Sequence, residues 1–253
     1  MAKIIAIANQ KGGVGKTTTA LNLGITLNRL GNRVLCIDMD PQGNLTVALG
    51  IAGASSKTIA DALLDRNVPL PIVRAGQSGV VSLDAVPASL ALSTAEAALL
   101  NKLGREFRLR DQLLAIDSAY DYILIDTPPS LGILTINSLV AAQSVVIPTE
   151  ARFFSLQGLQ MLQESVEEVK YLNPKLRVLG ILVSKYDKRL REERSVSTYL
   201  RKTWCELVFT TEVGTNSKIL EAASAGRSIF DVDNNERATD TYSALATEVI
   251  ARA

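Results

Sequence analysis

The stretch Ala8–Leu23 reads ANQKGGVGKTTTALNL and joins two segments of different periodicity. Before the glycines, Lys3–Asn9 is a short apolar run that predicts a β-strand. After them, Thr17–Leu30 repeats apolar residues at helical spacing and ends at Gly31. The glycine-rich part between the two predicts a tight strand-to-helix turn. The chain is therefore expected to open with a strand, a loop and a helix, and the loop carries two lysines whose roles need an explanation.

The same alternation of short apolar runs and helical segments continues along the chain. The further predicted strands are Arg33–Asp38, Val80–Val86, Tyr122–Asp126, Ser144–Pro148 and Arg177–Ser184. The further predicted helices are Lys57–Leu64, Ser89–Leu103, Leu131–Ala142, Ser155–Leu172, Ser195–Lys202, Ser217–Ala225 and Thr239–Ala251. Strands such as IIAIA and YILID are apolar on both faces, which is typical of strands buried between two helical layers. The predicted fold class is α/β, with a doubly wound, mostly parallel twisted sheet flanked by helices.

The composition favours one domain over the whole of residues 1–253. Apolar residues make up 47% of the 253 residues, which is enough for one large core. The net charge of +1 gives no global attraction to nucleic acid or to anionic lipid, so any such affinity must come from a local patch. No internal repeat is visible, and only Asp65–Ser78 is predicted to be a long connection.

Cysteine and histidine usage excludes several kinds of site. The chain has no histidine, and Cys36 and Cys205 are isolated, so neither a disulfide framework nor a CxxC metal motif is present. No signal segment precedes Lys3, and no apolar run is long enough to span a bilayer. We therefore expect a reducing, cytoplasmic setting and no membrane partner.

The loop has the chemistry of a phosphate-binding loop. In the eight-residue frame that begins at Gln10, it fits G-x-x-x-x-G-K-[ST] except at the first position, where glutamine replaces glycine. Backbone N–H groups and the start of the following helix would surround a phosphate. Lys16 would meet the β- and γ-phosphates, and the Thr17 hydroxyl would bind Mg²⁺. A glycine-rich turn without a ligand is the alternative.

Three aspartates follow predicted strands. Asp126 ends an apolar strand, where an unpaired charge is unfavourable unless it faces a cation or a phosphate-bound water. Asp40 lies just past the second strand, on the side of the sheet where such folds bind ligands, although a purely structural capping role is also open to it. Asp38 is predicted to support the loop or the outer shell of the metal.

Motifs along nearly the whole chain resemble those of the ParA/MinD group, whose phosphate loop is a deviant Walker A motif. The resemblance is greatest to the small Soj-type ParA partition ATPases. The residues that carry it are Lys11–Thr18 (KGGVGKTT), Asp38–Asn44 (DMDPQGN), Ile125–Ser130 (IDTPPS), Pro148–Ala151, Phe153–Leu159, Tyr186–Arg189 and Leu220–Ala222.

The resemblance implies a role for each residue of the site. Lys11 is similar to the signature lysine, which reaches across a nucleotide-sandwich dimer to the phosphates of the partner subunit. Asp126 corresponds to the Walker B aspartate, which holds Mg²⁺ through water together with Thr17, and Asp40 to the residue that orients the attacking water. The implied cofactors are ATP and Mg²⁺. The expected nucleotide contacts are Lys11, Gly12, Gly13, Val14, Gly15, Lys16, Thr17 and Thr18.

Recognition of the base is expected near the end of the chain. The family places a Pro-x-Asn loop before a late helix, and this chain has Gly214 and Asn216 at the outer positions of that motif, without the proline. Asn216 can hydrogen-bond the edge of adenine. A family methionine beside Tyr186 is replaced by Lys185, which affects packing on the base. No Asn-Lys-x-Asp element for guanine is present, so ATP is expected rather than GTP.

A basic segment between residues 185 and 202 is the candidate DNA surface. It holds seven basic and three acidic residues, a pattern that is also typical of a solvated helix face. The resemblance implies DNA contacts for Arg189 and Lys218, and contacts to phosphates would make binding independent of sequence. No helix-turn-helix precedes Lys3, so operator-specific repression is not expected.

The resemblance implies an ATP-dependent DNA-partition ATPase that is cytoplasmic and associated with the nucleoid. Its expected partners are a second copy in an ATP-dependent homodimer, non-specific double-stranded DNA, and a ParB-type centromere-binding protein that stimulates hydrolysis. The alternatives are a ParA-like positioner of protein cargo, a MinD-like membrane ATPase, a nitrogenase-reductase-like redox protein and a synthetase of the dethiobiotin type. Residues 244–253 are short of cations for a membrane helix, and the cysteines are not placed as cluster ligands.

Overall fold

The apolar runs form one central sheet in the computed structural model, which describes residues 1–75, 83–215, 230 and 236–253. Its strands are β1 (Lys3–Ile7), β2 (Val34–Asp38), β3 (Val73–Ala75), β4 (Leu83–Val86), β5 (Tyr122–Asp126), β6 (Ser144–Glu150), β7 (Arg177–Tyr186) and β8 (Val208–Gly214). They lie in the order β3-β4-β2-β5-β1-β6-β7-β8. Every neighbouring pair is parallel except β3 with β4. The prediction of a doubly wound, mostly parallel sheet is confirmed.

Helices cover both faces of this sheet. They are α1 (Lys16–Arg29), α2 (Asn44–Ala48), α3 (Ile59–Leu64), α4 (Ala91–Leu99), α5 (Arg108–Leu114), α6 (Ile133–Ala141), α7 (Phe153–Val169), α8 (Arg191–Trp204) and α9 (Glu236–Arg252). One face packs against α3 to α8, and the other against α1, α2 and α9. Within the described ranges, no helix is both long and apolar enough to cross a membrane.

Alternate side chains of the central strand enter two separate apolar cores. In β1, Ile4 and Ala6 belong to the core under α3 to α8, whereas Ile5 and Ile7 belong to the core under α1 and α9. The same alternation holds in β2 and β5. A strand that buries both of its faces must be apolar at every position, which explains the continuous apolar runs in the sequence.

Sequence patterns located the central elements well and the peripheral ones less well. The bounds of β5 agree with the prediction, and β1 and β2 differ by two residues or fewer at each end. The structure adds β3, β8, α2 and α5, which were not predicted. The predicted helix Ser217–Ala225 lies outside the described residues, as does the first part of the predicted strand Val80–Val86.

The carboxyl ends of the central strands meet at one edge of the sheet. The parallel register pairs Ile7 with Asp126 and Asp38 with Asp126, so the last residues of β1, β5 and β2 lie side by side. The loops that follow these strands therefore share one edge, and ligands of open α/β sheets bind there.

Helix α1, which follows the first loop, packs closely against β2. A Cβ atom on Gly24 of α1 would lie 2.6 Å from the Cys36 Sγ of β2 and 3.4 Å from a Leu124 methyl group of β5. Glycine is therefore needed at this position for space, although it is a poor residue for the interior of a helix.

We predict that Gly24→Ala lowers the free energy of unfolding by about 1 kcal/mol or more, since overpacking exceeds the gain in helix propensity. In a Cys36→Ala background, which removes the sulfur, the same change should raise the free energy of unfolding instead. Urea denaturation of the two single variants and the double variant measures this coupling. Effects that simply add would show that α1 does not depend on this contact.

Candidate functional site

The glycine-rich loop between β1 and α1 has a backbone that requires glycine. Gly13 and Gly15 lie in the left-handed region, with φ of 75° and 89°, a conformation that other residues adopt only with strain. Helix α1 starts at the next residue, with no acidic residue in its first turn and no side-chain hydrogen bond at its N-cap. Its free N–H groups and the positive end of its dipole therefore favour an anion at the loop.

Lys16 places a buried ammonium group behind this loop. The residue is 7% exposed, and its Nζ donates to the Lys11 carbonyl oxygen at 3.3 Å. Burial lowers the pKa of Lys16, while the charges of Asp126 and Asp40 act in the opposite direction. Because a buried ammonium is unfavourable unless it is paired, this group is poised for a negatively charged ligand.

Asp126 is a buried carboxylate whose two oxygens accept no hydrogen bond from the described residues. Burial raises the pKa of Asp126 well above its usual range, and the charge of Asp38 adds to this effect. Thr17 and Lys16 favour the charged form, but the Thr17 hydroxyl does not reach hydrogen-bond geometry with it. Buried carboxylates without partners are rare in folded proteins, so Asp126 fits a role that requires a cation.

Asp38 is the buried support of the loop after β2. One of its oxygens accepts hydrogen bonds from the Thr46 backbone N–H at 2.8 Å and the Thr46 hydroxyl at 2.7 Å, and the other accepts from the Asp40 N–H at 3.0 Å. Burial raises the pKa of Asp38 to about 6. These hydrogen bonds hold the loop after β2 in place, which is the supporting role that was predicted for Asp38.

Asp40 lies at the mouth of the site. It is 7% exposed, and one of its carboxylate oxygens accepts the Gln42 N–H at 2.9 Å, so it does stabilise the turn after β2. It also lines the same cavity as the glycine-rich loop. The water-orienting role of Asp40 remains a prediction, and its position is compatible with that role.

The cavity over the loop has a volume of about 560 Å³. Its walls are formed by Gly12, Gly13, Gly15, Lys16, Thr17, Thr18, Leu21, Asp40, Gln42, Asn44, Val47, Ala48, Pro129 and Lys185. No cluster of three or more His, Cys, Asp or Glu residues suited to a metal occurs in the part of the chain that the structure describes. A divalent cation here would need phosphate oxygens among its ligands, which is how Mg²⁺ is usually bound. The donor set thus fits a polyphosphate with one such cation.

Lys11, the other lysine of the loop, points away from this cavity. Its Nζ lies 2.7 Å from the Glu150 Oε2 at the end of β6 and donates to the Ser155 hydroxyl at 3.3 Å. Its backbone N–H is held by the Asn9 side chain at 2.9 Å. In the single subunit, therefore, Lys16 lies at the phosphate cavity and the ammonium of Lys11 lies against Glu150.

The expected base-binding residues fall partly outside the described chain. Gly214 pairs with Tyr186 where β8 and β7 end, and both residues line a neighbouring cavity of about 550 Å³. Asn216, predicted to contact adenine, lies outside the described residues. Its role and that of Gly214 remain predictions.

Arg189 is one of the two cations expected to meet DNA, and it lies on the surface. Its side chain is 86% exposed, and its guanidinium forms a two-point contact with Asp187 at 2.7 and 2.9 Å. This contact lowers the pKa of Asp187 to about 2. Lys218, the second predicted DNA contact, lies outside the described residues.

The structure places two further residues at the site, Glu150 and Lys185, that were not predicted to be there. Glu150 was quoted only as part of a motif, yet it is the partner of Lys11. Lys185 was noted only as a replacement that affects packing on the base and as part of the basic segment, yet it lines the cavity of the phosphate loop. Both residues lie near the carboxyl end of a strand, and this position was the available signal in the sequence. Sequence alone, however, does not show in which direction each side chain points.

The chain is similar to known proteins over nearly its whole length. A family model described as an AAA domain matches residues 2–178. The chain is 44% identical to the sporulation initiation inhibitor protein Soj of Bacillus subtilis, over 99% of both chains. It is 40% identical to the chromosome partitioning protein ParA of Caulobacter vibrioides, over 99% of this chain and 94% of that protein.

A solved structure also superposes on nearly the whole chain. Cobyrinic acid a,c-diamide synthase from Mycobacterium smegmatis, with bound ATP analogue and magnesium, has a TM-score of 0.84 and 32% sequence identity. The match covers 98% of this chain and 93% of that one.

We predict that Asp126→Asn abolishes the effect of Mg²⁺ on nucleotide binding, because it removes the charge while keeping the shape of the side chain. The melting temperature should be measured with ATP in the presence of EDTA and in the presence of Mg²⁺. The unmodified chain should gain stability from Mg²⁺, as should the control Asp240→Asn, which changes an exposed carboxylate on α9. An undiminished Mg²⁺ effect in Asp126→Asn would remove this residue from the metal site.

Proposed function

The chain belongs to the ParA/Soj family of partition ATPases, and from that premise we propose that it is an ATP-dependent DNA-partition switch. In this proposal ATP closes a sandwich dimer, the dimer holds non-specific double-stranded DNA, and a ParB-type partner stimulates hydrolysis and release. The protein is then cytoplasmic and associated with the nucleoid while ATP is bound. The observation that carries the proposal is the separation of the two loop lysines, one buried at the phosphate cavity and the other turned outward.

ATP and Mg²⁺ are the cofactors that suit the cavity. Lys16 and the N–H groups at the start of α1 supply positive charge for the β- and γ-phosphates. Thr17 and Asp126 supply oxygen atoms beside them for a magnesium ion, Asp126 through water. When bound, this ion neutralises charge on the phosphates. The solved structure of a relative with a bound ATP analogue and magnesium supports the same assignment.

Lys11 is assigned to the phosphates of a second subunit. Its ammonium is held against Glu150 and is not part of its own phosphate cavity, so it adds little positive charge there. Across a two-fold axis, the same ammonium would stabilise transition-state charge only when two subunits meet. Lys11 has to leave Glu150 to do so. This exchange makes hydrolysis depend on dimerisation.

Hydrolysis then requires a water placed by Asp40. Asp40 lies at the mouth of the cavity and is fixed by the turn after β2, which Asp38 supports from below. A fixed carboxylate beside the phosphates can orient the attacking water, while Lys16 and the crossing Lys11 balance the charge that develops.

DNA binding is assigned to Arg189 and Lys218. Contacts of cations with phosphates do not depend on sequence and weaken as salt increases. Arg189 is exposed but engaged with Asp187, so it must share or exchange that partner when it meets DNA.

A series of polar contacts connects the Lys11 site with the loop that holds Arg189. The Oε2 atom of Glu150, the partner of Lys11, lies 4.0 Å from the Nε atom of Arg152. The same Nε atom lies 3.9 Å from the Oε1 atom of Glu193. The other oxygen of Glu193 accepts the backbone N–H of Asp187 at 2.7 Å. Movement of Lys11 toward a partner subunit would change the charge balance along this series, which offers a physical route for nucleotide control of DNA binding.

A metabolic synthase is the second candidate, because the structural relative with 32% identity carries such a name. The identity to Soj is higher, at 44%, and favours partition. Turnover by a synthase would depend on a small acceptor molecule, whereas turnover by a partition ATPase would depend on DNA and a protein partner.

We predict that the protein binds a non-specific DNA duplex with a slowly hydrolysed ATP analogue, but not with ADP or without nucleotide. Arg189→Glu should weaken this binding by about tenfold or more, because it turns a phosphate contact into repulsion. Fluorescence anisotropy of a labelled duplex across a range of salt concentrations measures both effects.

The control is Lys175→Glu, which reverses an exposed charge next to the amino end of β7, at the opposite edge of the sheet. This variant should bind DNA as the unmodified protein does. Equal losses in both variants would indicate a general effect of net charge. No binding with any nucleotide would reject the DNA switch in favour of the synthase candidate.

A further inference from the structure

The end of β7 is attached to the phosphate loop by a buried hydrogen bond. The Ser184 hydroxyl donates to the Val14 carbonyl oxygen at 2.7 Å, in the middle of the loop. Ser184 is 3% exposed, so this contact is shielded from water. The residue that follows, Lys185, is therefore held at a fixed distance from the loop.

Lys185 has a backbone conformation that is unusual for lysine. Its φ is 53°, which places it in the left-handed region, and the described residues include only one other non-glycine residue with positive φ, Cys205. The Thr215 hydroxyl holds the Lys185 carbonyl oxygen at 2.9 Å, and the Thr215 N–H donates to the Tyr186 carbonyl oxygen at 3.3 Å. Strained residues of this kind persist where the surroundings determine them and are concentrated at functional sites.

This backbone directs the Lys185 side chain over the phosphate loop. A methyl group built on Gly13 would lie 3.9 Å from the Lys185 Nζ. Lys185 lines the same cavity as Lys16 and Thr17. In the sheet, β7 and β2 lie on opposite sides of β1, so Lys185 and Asp40 come to this cavity from opposite sides of the phosphate loop. Its ammonium forms no salt bridge or hydrogen bond with the residues that the structure describes.

We propose that Lys185 is a third lysine of the phosphate site, which binds the polyphosphate of the nucleotide held in its own subunit. This inference rests on the proposed function, because it assigns a further contact to the same ATP site. Lys16 approaches the phosphates from the helix side of the loop, and Lys185 approaches them from the end of β7 on the Gly13 side. Lys185 thus supplies in its own subunit a charge that Lys11, turned toward Glu150, does not supply.

The competing explanation is that only the aliphatic stem of Lys185 matters, as packing for the base or for Tyr186. The two explanations differ in whether the positive charge is needed. Methionine keeps an unbranched apolar stem of similar length and removes the charge, whereas arginine keeps the charge.

Lys185→Met should weaken ATP binding by about tenfold, in line with the loss of one charge-assisted hydrogen bond. Lys185→Arg should keep most of the affinity, and the melting temperature of the ligand-free protein should not change in Lys185→Met. Calorimetric titration of each variant with ATP and Mg²⁺ measures the affinity. The matched control is Lys175→Met, which removes an exposed charge beside the other end of β7 and should leave the affinity unchanged.

Unchanged ATP affinity in Lys185→Met, with the unmodified protein binding ATP, would overturn this inference and leave the ATPase proposal standing. A fall in affinity that Lys185→Arg shares in full would also overturn it, because the charge would then not be what matters. If the unmodified protein itself fails to bind ATP, the proposed function fails, and that result is distinct from either of these.

Discussion

The buried pair of charges at the carboxyl ends of the central strands is the constraint on which the rest of the structure depends. Lys16 and Asp126 are both almost completely removed from water, and Asp126 has no hydrogen-bond partner among the described residues. Each charge is unfavourable by itself, and their mutual attraction offsets only part of the loss of hydration. The surrounding elements nevertheless hold them in place, because β1 and β5 are locked in parallel register and α1 packs closely on β2 through Gly24. A phosphate group with a magnesium ion would satisfy both charges at once.

The two lysines of the loop differ in position, because only Lys16 lies in the phosphate cavity of its own subunit. Lys16 is fixed inside the phosphate cavity by the start of α1, and Lys11, five residues earlier, is held outside it by Glu150. In the proposed dimer, Lys11 would bring its positive charge to the phosphates of the partner subunit. Lys185 fits the same account as the residue that supplies local charge in place of Lys11.

Sequence patterns predicted the central strands and the phosphate loop, and they predicted the edge strands of the sheet less well. Strands β1, β2 and β5 are apolar throughout because they are buried on both faces, and this makes them easy to find. Strand β8 was missed because it is an edge strand, in which the polar residues Thr210, Thr211 and Glu212 interrupt the apolar run. The positions of Lys16 beside the phosphate loop and of Asp126 at the end of a buried strand followed from the local sequence. The contact of Lys11 with Glu150 and the position of Lys185 depend on how distant strand ends meet, which no local pattern specifies.

The most direct test of the account mixes two inactive subunits, Lys11→Ala and Asp40→Ala, and measures ATP turnover in the presence of DNA. If Lys11 acts across the dimer, the Lys11→Ala subunit keeps its own Asp40 and receives Lys11 from its partner, so each mixed dimer contains one complete site. At equal mixing about half of the dimers are mixed, and about a quarter of the activity of the unmodified protein should return. Turnover that stays at the level of the separate variants at every mixing ratio would contradict the central claim, because Lys11 would then act within its own subunit.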